Sequence, residues 1–277
     1  MKTMRFYMIL AAALIFGVAT SGQKKIDTSV FETLPKNLAL NDEVQKYQVI
    51  TDHFNGDIFG HFFNKIRVKG IYTRGLANGK VKWNNVTVAT SMQRDGDFPE
   101  GEPLKYMEGF SYKPSEEMLK PEAFSSFGAY SAYAKNLVWD MMGVEGFAWS
   151  YWDSLHLNQP FAAKNFNGKL DLAGQGSFEN KNVVLTWTGV SKRNNELCAT
   201  IEFRTLNNPL EYAESEMSLK GRSHYWGTVW VSLEDKQIEH AELYEDVTME
   251  MKLPGQSGKQ IMDAVREIQF IKLPKDK

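Results

Sequence analysis

Residues 224–251 read HYWGTVWVSLEDKQIEHAELYEDVTMEM and carry the clearest structural pattern in the chain. Apolar and polar side chains alternate on both sides of a short polar stretch, which is typical of two half-buried β-strands joined by a turn. Facing residues must lie on the same side of a sheet, so an odd loop at 235–237 is expected. This loop would place Val229 opposite Leu243 and Val231 opposite Ala241. The segment therefore predicts an antiparallel hairpin with one buried face.

A second hairpin is predicted by the alternating residues 183–191 and 197–206. The same parity argument requires an odd loop, which we place at 193–195, and it puts Trp187 opposite Ile201. This loop contains two asparagines, and asparagine adopts the left-handed conformation that such a turn needs.

Three further segments have predicted structures. The runs 66–76 and 80–90 flank Asn78-Gly79, a pair that favours a tight hairpin because both residues tolerate positive φ. Residues 23–44 are expected to form an arm or a short helix. Residues 263–270 are expected to close the chain as a short helix or an edge strand.

Residues 131–152 follow a helical period instead. Apolar residues recur at steps near three and four, and further large side chains such as Trp139 and Trp149 fill the remaining faces. A helix that is apolar nearly all round is a buried helix. Gly143 and Gly146 leave open a break into two helices.

These elements predict a β-rich α+β protein, with a large curved antiparallel sheet of hairpins, half-barrel-like, and a buried aromatic helix packed on it. The single domain is expected at 45–277, with a helical insert near 115–155. At the level of fold this arrangement is similar to the curved half-barrels of periplasmic lipid-carrier proteins, such as the lipoprotein-localisation carriers. That resemblance implies an apolar ligand, but it assigns no site residue, because fold does not determine function.

The N-terminus predicts export. Lys2 and Arg5 precede the apolar run 6–18, and small residues follow at 19–22, which is the layout of a secretory signal peptide cleaved near Gln23. The run is shorter than the roughly 20 residues of a membrane span. The cleavage zone contains no cysteine, which argues against a lipoprotein anchor. We therefore expect a periplasmic or secreted protein without a lipid anchor or a transmembrane segment in the mature chain.

The charge balance and the motifs of the sequence argue against several classes of function, including nucleic-acid binding and calcium binding. The chain has 32 Lys and Arg against 34 Asp and Glu, a net charge of −2, so nucleic acid is not an expected partner. The sequence DHFNGD at 52–57 lacks the ligand register of a calcium loop and is predicted to be a turn between strands. Cys198 is the single cysteine, which excludes an internal disulfide, and is expected to be a structural free thiol. No metal, cofactor or catalytic residue is predicted.

The first candidate site is the second face of the 224–251 hairpin. The predicted register puts Trp230 opposite Glu242 and Trp226 opposite Asp246, with Tyr244 nearby. Aromatic planes beside carboxylates suit sugars and amphipathic ligands. The alternative, which we prefer, is a solvated sheet face with cross-strand aromatic pairs.

The second candidate is the aromatic helical segment. Trp139, Trp149 and Trp152 would suit the wall of an apolar pocket between helix and sheet, and the alternative is that these rings fill the core. Apolar surroundings would raise the pKa of Asp140 and Glu145, as a general acid requires. Their spacing of five places them on different helical faces, so a glycosidase pair is not expected.

The leading hypothesis is an exported, soluble binding protein that holds a small apolar or amphipathic molecule between sheet and helix. The second is an exported carbohydrate-active enzyme or sugar-binding module whose partner is a glycan. The third is a structural module of the cell envelope. Catalysis is not the favoured interpretation.

Overall fold

The computed structural model describes residues 33–214, 217–252 and 258–275. The predicted signal peptide, residues 1–22, lies outside the described residues, and so do residues 23–32 of the predicted arm. No helix within the described ranges is both long and apolar enough to cross a membrane.

The described residues form thirteen β-strands in one antiparallel sheet. The strands are, in chain order, β1 (Gln45–Asp57), β2 (Phe62–Leu76), β3 (Lys80–Ser91), β4 (Glu102–Pro103), β5 (Ser111–Tyr112), β6 (Phe161–Ala162), β7 (Gly168–Asp171), β8 (Gly176–Asn180), β9 (Val184–Arg193), β10 (Glu196–Glu214), β11 (Met217–Ser232), β12 (Ile238–Lys252) and β13 (Gln260–Lys272). Their order across the sheet is β4-β3-β2-β1-β13-β12-β11-β10-β8-β7, while β5 pairs with β3, β9 with β10 and β6 with β9.

One α-helix, α1 (Ser131–Trp149), packs on this sheet and confirms the predicted β-rich α+β class. The helix runs unbroken through Gly143 and Gly146, so the two glycines do not divide it. Short 3-10 helices occur at Ala77–Gly79, Lys105–Met107, Glu116–Leu119, Pro121–Phe124, Trp152–Ser154 and Lys164–Phe166.

The core lies between α1 and one side of the sheet, which we call the inner face. Alternate residues of the central strands are buried there, because successive side chains of a strand point to opposite faces. Tyr47 stacks on Phe270 with ring centroids 4.2 Å apart, and Phe147 of α1 stacks on Phe203 at 4.4 Å. Further inner-face residues are Val49, Val68, Ile201, Val229, Ala241, Leu243 and Ile268. The opposite side, which includes Ile50, Asp52, Arg67, Trp226 and Glu242, is the outer face.

A buried ion-pair cluster holds α1 against β12 and β13. The guanidinium of Arg266 contacts the carboxylates of both Asp140 and Glu245, and Ser223 Oγ donates to Glu245 Oε1 at 2.5 Å. Burial of two acids around one cation is stable only when the charges are mutually paired. The cluster therefore fixes the position of the helix on the sheet.

The predicted register of the β11–β12 hairpin is wrong by two residues. Val229 lies opposite Ala241, and Leu243 lies opposite Gly227. The connection is longer than expected, since Ser232 and Gln237 pair across it, and a β-bulge follows between Trp230 and Val231. The bulge adds one residue to one strand. Residues that point to the same side of the sheet therefore lie opposite each other, which is the result expected from an odd loop.

The β9–β10 hairpin shows the same device. Trp187 lies opposite Ile201, as predicted. The turn, however, has two residues, Asn194 and Asn195, with φ of 48° and 68°. A bulge between Thr200 and Ile201 supplies the odd residue that we had placed in the loop.

Other predictions have mixed outcomes. The hairpin around Asn78-Gly79 is confirmed, with Leu76 opposite Lys80. Residues 263–270 are neither a helix nor an edge, because they lie within β13 between β1 and β12. The stretch 52–57 belongs to β1 and is not a turn; the turn follows at 58–61.

Candidate functional site

The three helical tryptophans are held by hydrogen bonds to the main chain. Their indole N–H groups donate to carbonyl oxygens, Trp139 to Met118 at 2.8 Å, Trp149 to Lys236 at 2.9 Å and Trp152 to Pro35 at 2.9 Å. Trp152 is 2% exposed, and the Arg74 guanidinium lies 4.5 Å from the ring of Trp149. Trp152 is thus a core ring with a satisfied N–H, while Trp139 and Trp149 are partly buried and pack against the core. Their role as a pocket wall stays a prediction.

The two acids of α1 bind different strands. Asp140 pairs with Arg266 of β13, while Glu145 accepts from Tyr72 Oη at 2.9 Å and from Arg74 Nε at 3.3 Å. Burial raises the pKa of Asp140 to about 6 despite the Arg266 charge, and burial also raises the pKa of Glu145. Both carboxylates are enclosed between helix and sheet, so they do not face a common open cleft.

The aromatic outer face of β11 and β12 brings Trp226 together with Tyr244. The two rings stack with centroids 6.2 Å apart and planes 21° from parallel, and Trp226 is 44% exposed. Tyr244 Oη donates to Glu242 Oε2 at 3.4 Å. Trp226 therefore faces Tyr244 rather than Asp246, and it offers an open ring surface.

The other predicted residues of this face are already engaged. Trp230 lies opposite His240 rather than Glu242, and the Arg193 guanidinium covers its ring at 4.3 Å. His240 Nε2 lies 3.0 Å from Glu242 Oε1. Asp246 is hydrogen-bonded to Asp263, and burial together with the Asp246 charge raises the pKa of Asp263.

A groove of about 450 Å³ opens on the outer face of β1, β2 and β3, where no site was predicted. Lys65, Arg67 and Lys69 of β2 form its floor together with Asp52 and Phe54 of β1. Thr87 and Ala89 of β3 and the loop 96–101 close the other side. We call this feature the outer groove. Its volume lies within the range of pockets that bind small molecules.

The central cation of the outer groove is neutralised. Arg67 makes a bidentate ion pair with Asp52, with Nε–Oδ1 of 2.7 Å and Nη2–Oδ2 of 2.6 Å. The Arg67 guanidinium also lies 4.2 Å from the ring of Phe98 on the loop. The hydrogen bonds that Arg67 donates to the Asp52 carboxylate raise the pKa of Arg67. The ion pair and the ring contact hold a flat aromatic wall above the floor.

Lys65 and Lys69 differ from Arg67, because within the described residues neither has a carboxylate partner. Lys65 is 5% exposed, and its ammonium donates to the carbonyls of Arg94 at 3.1 Å and Gly96 at 2.5 Å. These bonds tie the loop to the sheet. Lys69 is exposed, and its ammonium group makes no hydrogen bond or ion pair in the described part of the chain. The floor therefore holds two cations without counter-ions.

Glycine allows the loop to approach the sheet closely. A Cβ at Gly101 would lie 2.9 Å from Thr87 Oγ1, which is closer than real contacts allow. The loop backbone is therefore seated directly on β3 and forms a defined wall of the outer groove.

A second pocket of about 310 Å³ adjoins the outer groove. Phe54 lines both, and the second pocket continues along β1 to Asp57. Phe62 and Val265 add apolar surface to it. We call this feature the distal pocket.

A cluster of acids and one thiol lie elsewhere. Carboxylate oxygens of Glu196, Asp235 and Glu239 lie within 4.8 Å of one another, and the ammonium of Lys272 contacts all three side chains. Lys272 thus already provides their counter-charge. Cys198 is a free, buried thiol, and burial raises its pKa to about 12, so it is a poor nucleophile.

A period-two pattern of cations was available in the sequence. Lys65, Arg67 and Lys69 alternate with the apolar residues Ile66 and Val68, and a strand that begins before the predicted bound of 66 places all three on one face. The covering loop 92–101 carries no such pattern. The groove itself could not be found without knowing how the loop folds back.

Comparisons with known proteins assign no family. No family model and no curated protein matches the chain. A solved structure described as lipid–protein interactions in lipovitellin is similar to it, with 12% sequence identity and a TM-score of 0.39. The match covers 83% of this chain and 25% of that chain, so this chain spans a quarter of that one.

Proposed function

We propose that the protein is a binding protein for a small amphipathic molecule, which it holds in the outer groove. The observation that carries this proposal is the combination of Phe54 and Phe98 with the unpaired ammonium of Lys69 in a groove of about 450 Å³. Ligand pockets are mostly apolar concavities with a few polar groups that orient the ligand. The outer groove has both components.

The packing of the inner face supports the outer location. The tryptophans of the helical segment were predicted to line a site between α1 and the sheet, but each indole N–H donates to a main-chain carbonyl. Aromatic stacking of Tyr47 on Phe270 and of Phe147 on Phe203 fills the same interface. A ligand there would have to displace well-packed rings, at a cost of several kcal/mol.

The test uses 1-anilinonaphthalene-8-sulfonate, an amphipathic anion whose fluorescence rises in apolar surroundings. We expect saturable binding by the wild type and a roughly tenfold loss of affinity in Phe98→Ala, because one aromatic contact contributes about 1–1.5 kcal/mol. Phe59→Ala is the matched control, since Phe59 is 79% exposed and lies outside the groove. Equal weakening by the two substitutions, or no binding by the wild type, would refute the proposal.

A second candidate function is sugar binding on the Trp226–Tyr244 pair. The favouring observation is the open ring of Trp226 beside the carboxylate of Glu242, since sugars stack on rings and hydrogen-bond to acids. Titration with maltotetraose or chitotriose should quench the tryptophan fluorescence of the wild type. The fluorescence of Trp226→Ala should not change. If neither sugars nor the sulfonate bind, a structural role remains.

We also propose export to the periplasm or the extracellular space, with cleavage near Gln23. The proposal rests on the basic and apolar N-terminal sequence. Mass spectrometry of protein recovered from its own host should find the new N-terminus within a few residues of Gln23. Recovery of an intact Met1 from the cell envelope would contradict cleavage.

A further inference from the structure

We infer that the ligand is an elongated amphiphile, with an anionic head between Lys65 and Lys69 and an apolar chain that passes Phe54 into the distal pocket. This inference rests on the proposed function and specifies its substrate class. It uses two features that binding in the outer groove alone does not require, the unpaired cations and the adjoining pocket.

The head position follows from charge. Lys65 is 5% exposed, yet its two hydrogen-bond acceptors are neutral carbonyls, of Arg94 and Gly96. An ammonium has three donors and is rarely buried without an anion. Lys69 lies four residues further along β2 on the same face, and Arg67 between them is already neutralised by Asp52. A carboxylate, sulfonate or phosphate would supply the missing negative charge.

The acids around the outer groove do not take this role. Asp97 and Glu100 lie on the covering loop, and both are exposed. No ion pair in the described residues joins either one to Lys65 or Lys69.

The tail position follows from the shape of the surface. The outer groove runs along β1 from Asp52 to Phe54, and the distal pocket continues from Phe54 to Asp57. The five steps of strand from Asp52 to Asp57 extend about 17 Å, which matches a medium or long acyl chain. Val265 lies opposite Phe54 at the near end of the distal pocket, and Phe62 lies opposite Gly56 further along. The exposed lining of the distal pocket is more apolar than that of the outer groove. An anionic amphiphile therefore fits with its head in the outer groove and its apolar chain in the distal pocket.

The test is calorimetric titration with straight-chain carboxylates, butyrate, octanoate and dodecanoate, below their micellar concentrations. Affinity should rise with chain length by up to fourfold for each buried methylene, which is about 0.8 kcal/mol. Dodecyltrimethylammonium, of equal length and opposite charge, should bind at least tenfold more weakly than dodecanoate.

Two variants locate the ends of the ligand. Lys69→Ala should weaken octanoate and dodecanoate by the same factor, about tenfold. Phe62→Ala should weaken dodecanoate and leave octanoate unchanged, because Phe62 lines the far part of the distal pocket. Lys192→Ala is the control for charge, since Lys192 is exposed on β9, far along the sheet from the outer groove, and it should alter neither.

The outcomes separate this inference from the proposed function. If sulfonate binding depends on Phe98 while affinity for carboxylates does not grow with chain length, the elongated ligand is wrong and the binding site stands. Equal binding of the cationic amphiphile would overturn the anionic head. If neither the sulfonate nor any carboxylate binds, the proposed function itself fails.

Discussion

The inner and outer faces of one sheet use the same residue types for different purposes. On the inner face, aromatic rings stack on one another and the tryptophan N–H groups of the helical segment end on main-chain carbonyls. On the outer face, Phe98 and Trp230 are covered by guanidinium groups, while Trp226 keeps an open ring. An excess of aromatic residues therefore does not distinguish a core from a binding surface. The two are distinguished by the groups that each ring contacts.

Replacement of a tryptophan on each face should give the largest contrast. Trp152→Ala removes a ring that is 2% exposed and should lower the free energy of unfolding by about 3–5 kcal/mol. Trp226→Ala removes a ring that is 44% exposed and should cost no more than about 1 kcal/mol. Urea unfolding followed by circular dichroism measures both. Equal costs would mean that the two faces are packed alike.

Titration of the inner-face ion-pair cluster should come next in size. Asp140 has a folded pKa of about 6 against an ordinary value of 3.8, so the folded state binds more protons between these values. Stability should therefore fall as pH rises from about 4 to about 6, by up to about 1.4 kcal/mol per pH unit. Above pH 6 this contribution stays constant.

Asp140→Asn isolates this contribution. In this variant the free energy of unfolding should no longer fall between pH 4 and pH 6. The difference in unfolding free energy between variant and wild type, measured by urea unfolding, should therefore change between pH 4.5 and pH 7.5. Burial lowers the pKa of His53 well below 6.5, and this group acts in the opposite direction, with stability lost as pH falls below 6.5. The double comparison cancels the His53 effect, and a pH-independent difference would contradict the Asp140 assignment.

A buried hydroxyl should give the smallest effect. Tyr47 Oη is buried and has no hydrogen-bond partner among the described residues. Tyr47→Phe should then leave the free energy of unfolding unchanged or raise it by up to about 1 kcal/mol. Tyr72→Phe is the control, because it removes a 2.9 Å bond to Glu145 and should destabilise. A loss in Tyr47→Phe equal to that control would show that the hydroxyl is bound in solution.

Strand parity was predictable, while register was not. The alternation in 224–251 correctly assigns Val229 and Leu243 to one buried face, since side-chain direction depends only on the local backbone. Which residues face each other depends on bulges at Val231 and Ile201, and a bulge has no strong local signal. The alternation of side chains correctly predicted which residues share a face. The extra residue that aligns the two strands was predicted in the loop, but it lies in a β-bulge.

The sequence by itself determined the β-rich class, the buried aromatic helix and the tight turn at Asn78-Gly79. All of these follow from periodicity and local conformational preference, which act over a few residues. Only the tertiary structure decided that 263–270 is a central strand, that Trp152 packs into the core and that the loop at 96–101 closes a groove. These features depend on contacts between residues far apart in the chain, and no local pattern specifies such a contact.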